Sequence, residues 1–289
     1  RAYVKIQDGC NHFCSYCKIP FARGKSRSRK KENILKEIKK LVDDGFKEVI
    51  LIGIDLSAYG EDFEEKDSFD NLLEEILKID GLKRVRIGSV YPDKITDKFV
   101  KLFENKNLMP HLHISLQSCD DTVLKNMRRN YGSELIRKSL LKLKNVVSDM
   151  EFTADVIVGF PKEDETMFKN TYNVIDEIEF SGLHIFPYSD REGTIASNMD
   201  GKVDAKTKKE RADELGELRL IMMKKSREKY LNKFLEVLVE EEKDGEYLGY
   251  TQNYLKVRFK SSEKDLINHL VNVKIKSIED DMLIGEKEI

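Results

Sequence analysis

Tryptophan is missing from the 289 residues, and proline occurs five times. With abundant Lys and Glu, this composition fits a heat-adapted soluble protein. Long apolar runs are missing as well. No stretch approaches the roughly 20 residues that span a bilayer, so no membrane partner is expected. No charged-then-apolar leader opens the chain, so nothing argues for secretion, and a cytoplasmic location is expected. The chain begins at Arg1, not Met, and reads as a fragment whose natural N-terminal part was removed. An excess of either charge is also lacking, with 51 basic residues against 53 acidic. The chain as a whole therefore carries no electrostatic signature of nucleic-acid binding. Cysteine is scarce, at four residues. Three of them fall between positions 10 and 17, which suits a metal site in a reducing compartment better than disulfides.

What is present is a repeated alternation. Strand patterns at Tyr3–Gln7, Val49–Ile52, Val85–Ile87, His111–Leu116, Phe152–Val158 and Leu183–Phe186 alternate with helical patterns. The helices are expected around Ile34–Val42, Leu72–Leu77, Lys94–Glu104, Asp121–Met127, Ser133–Val147 and Asp164–Ile178. Six strand-helix units imply an α/β fold with a parallel sheet, too few for a closed eight-unit barrel. The expectation is a partial, open (βα)6 barrel like the TIM barrel, with its site at the strand C-termini. A charged helix follows over Asp204–Asn232. Short strands at Leu235–Val239, Tyr247–Tyr250, Tyr254–Phe259, Leu270–Ile275 and Met282–Ile284 then predict a small antiparallel β-barrel. The expected division is residues 1–225 and 226–289.

Cys10, Cys14 and Cys17 sit on the loop after the first strand. Three thiolates on one loop would bind three irons of a cubane cluster and leave the fourth open to a substrate. The alternative is a non-enzymatic zinc scaffold with His12 or Cys119 as fourth ligand, but no second ligand pair follows. The other strand ends carry Gly53 and Asp55, Ser115 and Gln117, Asp155, and Phe186. Gly53 would let a ligand approach the backbone. Asp55, Ser115 and Gln117 would offer polar groups to a ligand there, and Phe186 an apolar face.

The CxxxCxxC spacing, with Tyr16 before the last cysteine, resembles the radical S-adenosylmethionine superfamily. Pro20-Phe21-Ala22-Arg23-Gly24 through Ser28-Arg29, Gln117-Ser118-Cys119-Asp120, Met127-Arg128-Arg129-Asn130-Tyr131 and Asp155 through Pro161 resemble segments of its methylthiotransferases. Cys119 stands where glycine is usual, and the terminal barrel looks like a TRAM domain. The resemblance implies a 4Fe-4S cluster on Cys10, Cys14 and Cys17 and bound S-adenosylmethionine. It places Tyr16, Gly53, Asp55, Ser115, Gln117, Arg129, Asp155 and Phe186 at that cofactor. It also implies a second 4Fe-4S cluster on an N-terminal domain absent from this chain, and an electron donor such as flavodoxin or ferredoxin.

Ile54-Asp55-Leu56-Ser57-Ala58-Tyr59-Gly60 and Ser189-Asp190-Arg191-Glu192-Gly193-Thr194 look like the RimO branch, which modifies an aspartate β-carbon in small-subunit ribosomal protein twelve. Phe234–Ile289 holds eight Lys/Arg against thirteen Asp/Glu. Such an acidic barrel suits a basic ribosomal protein better than RNA. The expected partner is therefore that protein, with a tRNA methylthiotransferase of the MiaB type as the alternative. The basic run Arg23–Lys31 would meet anionic groups near the cluster.

Overall fold

The computed structural model describes residues 1–287. Its strands in chain order are β1 (Ala2–Lys5), β2 (Gln7–Asp8), β3 (Arg27–Ser28), β4 (Glu48–Ile52), β5 (Arg84–Ile87), β6 (Ser89–Val90), β7 (His111–Gln117), β8 (Glu151–Val158), β9 (Gly182–Pro187), β10 (Phe234–Lys243), β11 (Glu246–Thr251), β12 (Lys256–Lys260), β13 (Leu270–Glu279) and β14 (Met282–Lys287). The helices are α1 (Ile19–Arg23), α2 (Lys31–Asp43), α3 (Phe69–Ile76), α4 (Asp97–Leu102), α5 (Asp121–Asn126), α6 (Ser133–Val146), α7 (Glu165–Ile178) and α8 (Ala205–Glu228).

β1, β4 and β5 pair in parallel, and β6, β7, β8 and β9 form a second parallel sheet. Gly88 carries the chain from one sheet to the next, and Val85 donates to the Asn107 carbonyl across the seam. Among the described residues no ladder joins β9 back to β1, so the barrel is open, as expected. α8 packs along β9 and covers that edge.

Strand alternation divides the residues into two faces. Val4, Val49, Leu51, Val85, Ile87, Leu112, Ile114, Phe152 and Ala154 are buried against the helices. The opposite set is polar and faces the lumen: Glu48, Arg86, His111, His113, Glu151, Asp155 and His184. Helix starts are fixed by side chains. Ser68, Thr96, Asp120, Asp164 and Asp204 each accept a first-turn N–H.

The small barrel is closed in the order β10-β11-β12-β14-β13. It is not wholly antiparallel, because β12 and β14 run parallel, with Val257 beside Leu283. Sequence alternation cannot report strand direction. It plugs the N-terminal end of the lumen. Arg84 donates to the carbonyls of Tyr250 and Glu236, and Arg86 to those of Thr251 and Gln252. Arg86 also stacks over the Tyr254 ring at 4.6 Å.

Candidate active site

The cysteine loop leaves the C-terminal side of β1, the end at which parallel α/β folds build their sites. Gly9 begins it at φ +74, and a Cβ there would lie 2.0 Å from the Lys25 carbonyl oxygen. Only glycine permits that approach. The loop is then pinned from two sides. Ser15 donates through its amide to Met127 O and through its hydroxyl to Asn126 O, and its carbonyl accepts from Ala196 N. Backbone amides of His12 and Ile19 point at the sulfurs of Cys10 and Cys17, at 3.5 and 3.4 Å.

Cys10 and Cys14 are buried, and Cys17 is half-buried. Burial, with Asp55 and the neighbouring thiols adding, pushes the Cys10 thiol up to about 11. Cys119 lies in the apolar core, so it is not the fourth ligand of a zinc site. A donor set of three thiols on one loop fits a cubane cluster with one open iron.

Two charged groups beside the thiols keep atoms without a hydrogen bond. Asp55 has a fully buried carboxylate, and neither oxygen receives a hydrogen bond. His12 Nε2 lies 2.9 Å from Asp55 Oδ2, close enough for an ion pair but out of line for a hydrogen bond. Arg129 sits among Tyr16, Tyr91 and Tyr131, donates to Tyr16 Oη at 2.7 Å, and leaves its Nε unpaired. Unpaired buried charge is costly, and it is tolerated where a ligand completes it.

Gln7 is a residue that sequence reasoning missed. It is buried, its carbonyl oxygen accepts from Ile54 N and Asp55 N, and its amide donates to Gly9 O and Ser26 Oγ. One side chain thus ties the cysteine loop to the end of β4. Gly53 is tight for the same reason: a Cβ there would meet Gln7 and Leu56, not an open ligand space. The signal was a polar residue ending a strand just before a glycine and a cysteine, with no motif to mark it.

A cavity of about 230 Å³ opens beside the loop, lined by Tyr16, Gln117, Asp155, Ile157, Phe186, Tyr188 and Arg191. Gln117 holds φ +67 at a bulge in β7, a strained backbone for a residue with a side chain. Phe186 is half exposed on the cavity wall. Ser115 is half-buried on β7, outside the residues lining the cavity, and its carbonyl accepts from Tyr131 Oη. Asp155 Oδ1 is engaged by His113 Nε2 and His184 Nδ1, each at 3.2 Å. Burial raises the Asp155 carboxyl, but those two imidazoles hold it below its ordinary value.

A sequence model of the Radical SAM superfamily matches residues 4–175. The chain belongs to the Radical SAM superfamily. Among solved structures it is similar to the radical S-adenosylmethionine methyltransferase TsrM from Kitasatospora setae, at TM-score 0.58 and 14% identity over 68% of this chain and 36% of that one. It is also similar to coproporphyrinogen III oxidase (HemN) from Escherichia coli, at TM-score 0.56 and 13% identity over 95% and 66%. These likenesses show the fold. Curated relatives are nearer in sequence. Threonylcarbamoyladenosine tRNA methylthiotransferase MtaB of Bacillus subtilis is 45% identical over 95% of this chain and 62% of that protein. tRNA-2-methylthio-N(6)-dimethylallyladenosine synthase of Bacillus licheniformis is 38% identical over 99% and 57%. The radical S-adenosylmethionine chain thus spans about three-fifths of the length of these relatives. Both are named as tRNA enzymes, whereas the segments after the second and sixth strands led to the expectation of a ribosomal-protein enzyme.

Proposed function

We propose that this chain is the radical-generating core of a tRNA methylthiotransferase whose substrate adenosine carries a threonylcarbamoyl group. The tRNA target is supported by the 45% identity to MtaB over nearly the whole chain. The radical step is carried by one observation: three loop thiols flanked by a buried carboxylate that accepts no hydrogen bond and a caged guanidinium. Cys10, Cys14 and Cys17 would hold the cluster. When bound, a reduced cluster with an open iron supplies the electron that splits the sulfonium of S-adenosylmethionine. Asp55 accepts from the cofactor's ammonium group, and Arg129 donates to its carboxylate. Gln7 holds the β4 end and the cysteine loop at a fixed separation. Tyr16, Gln117, Ile157, Phe186 and Tyr188 enclose the adenosyl part and exclude water.

Cys119 is buried in the core, so a second cluster would need thiols from further chain length. A flavodoxin- or ferredoxin-class donor would deliver the electron. The acidic terminal barrel does not argue against tRNA as its residue count suggests. Glu236 and Glu240 pair with Arg84 and Arg1 of the larger part, cations that a count of the barrel alone leaves out.

The test is anaerobic reconstitution of the full-length protein with reductant and either threonylcarbamoyl-bearing tRNA or ribosomal protein twelve, followed by mass analysis. A methylthio group on the tRNA adenosine is expected. A methylthio group on the ribosomal protein, with none on tRNA, overturns the reading.

A further inference from the structure

The lumen holds a second constellation that the cluster chemistry leaves unused. His113 on β7, Asp155 on β8 and His184 on β9 lie on three adjacent parallel strands. Asp155 and His184 are register partners, and His113 is the register partner of Thr153. One donor atom from each of the three residues falls within 4.8 Å of the others. We propose that His113, Asp155 and His184 hold one divalent first-row metal ion, of the zinc or iron(II) class, with a coordination position open to the adjacent cavity.

Three features carry this. The first is spacing. Ligands about 2.1 Å from a tetrahedral centre lie about 3.4 Å apart, and both imidazole nitrogens are 3.2 Å from Asp155 Oδ1. The second is chemistry. Two imidazoles and one carboxylate are a common set for zinc and for iron(II) with open positions. The third is the outer support. His113 Nδ1 lies 2.9 Å from Thr153 Oγ1, which in turn lies 3.2 Å from His111 Nε2. In the metal-bound form His113 Nδ1–H donates to Thr153, and Thr153 donates to His111. That turns the lone pair of His113 Nε2 toward the ion, the usual arrangement for a ligating histidine. His111 is itself buried and within hydrogen-bond reach of that hydroxyl. Asp155 lines the cavity, so an ion on it would face whatever enters there.

The cysteine loop must not compete for the probe. The test therefore uses this chain with Cys10→Ser, Cys14→Ser and Cys17→Ser, titrated with cobalt(II) and followed by visible absorbance. One ion per chain is expected, with ligand-field bands and no thiolate charge-transfer band. His184→Ala should weaken binding at least ~10-fold, and Thr153→Val about 10-fold through the loss of outer support. His184 is exposed, so its removal leaves the fold intact, with circular dichroism as the check. In the wild-type chain loaded with its cluster, metal analysis after zinc addition should find one zinc besides iron. Failure to take up cobalt at one equivalent, or uptake that His184→Ala leaves unchanged, overturns the proposal.

Discussion

At the scale of single residues, two buried charges beside the thiols are held by neighbours at some atoms and left open at others. Asp55 and Arg129 carry opposite charges, are buried beside the thiols, and have unpaired atoms. Asp55→Asn keeps shape and removes charge. S-adenosylmethionine binding, followed by equilibrium dialysis on the reconstituted chain, should weaken at least ~10-fold, since a hydrogen bond to a charged group contributes about 1.5–3 kcal/mol. The visible absorbance of the cluster should survive. Cys14→Ala, in contrast, should abolish that absorbance. A pH effect follows from Cys10. Burial raises its thiol from 9.0 to about 11, so as pH rises the unfolded chain loses this proton first. The cluster-free fold therefore keeps the associated stabilisation below pH 9.0 and loses it between 9.0 and about 11. Urea midpoints of the cluster-free chain should fall across that window, and Cys10→Ala should flatten part of the fall. The cysteines and Asp55 were legible because spacing and strand-end position mark them. Gln7 was not, because its role is five hydrogen bonds to partners up to 48 positions away.

At the scale of elements, loop geometry matters more than strand count. Gly9→Ala would force a methyl group into the Lys25 carbonyl while the rest of the fold stays intact. The expected outcome is unchanged circular dichroism with a cluster yield well below that of the parent. An unchanged iron content would show that the loop adapts. Six of the seven barrel strands were legible from apolar runs, but the two-residue β6 and the strand ends were not. The first expected strand, Tyr3–Gln7, breaks at Ile6, because Gln7 and Asp8 turn away to pair with Arg27 and Ser28. The helix expected at Lys94–Glu104 shrinks to Asp97–Leu102, because the Thr96 side chain caps it at Phe99 N. The helix expected to reach Asn232 ends at Glu228, and Asn232 N bonds to Ile275 O of the small barrel.

At the scale of the whole molecule, the small barrel is locked onto the lumen by buried arginines. Arg84 is almost wholly buried and binds two barrel carbonyls and the Glu236 carboxylate, with Glu48 alongside at 3.8 Å. Arg84→Ala strips two barrel carbonyls of their donor, while Glu48 keeps Arg86. It should destabilise the chain by about 2–4 kcal/mol, since a buried acceptor left without its partner costs about 1–3 kcal/mol, as a fall in the urea midpoint. Cluster absorbance, at the far end of the lumen, should be retained in the folded fraction. The interface also redirects an electrostatic test of partner choice. Glu240 is ion-paired with Arg1, so reversing it would loosen the interface as well as alter surface charge. Reversing Glu241 and Glu242 alone should raise affinity for tRNA without a change in melting, read by filter binding at two salt concentrations.

The sequence by itself determined the strand-helix alternation, the three-thiol loop and the superfamily, because each is written in local spacing that survives without knowledge of contacts. Tertiary structure alone decided three further things. It showed that β12 and β14 run parallel, a matter of which strands meet. It showed that two of the barrel's carboxylates, Glu240 and Glu236, are ion-paired with Arg1 and Arg84 from outside it, which a residue count of the barrel cannot reveal. And it brought His113, Asp155 and His184 onto one wall of the lumen, because parallel pairing aligns strand positions that lie 29 to 42 residues apart in the chain.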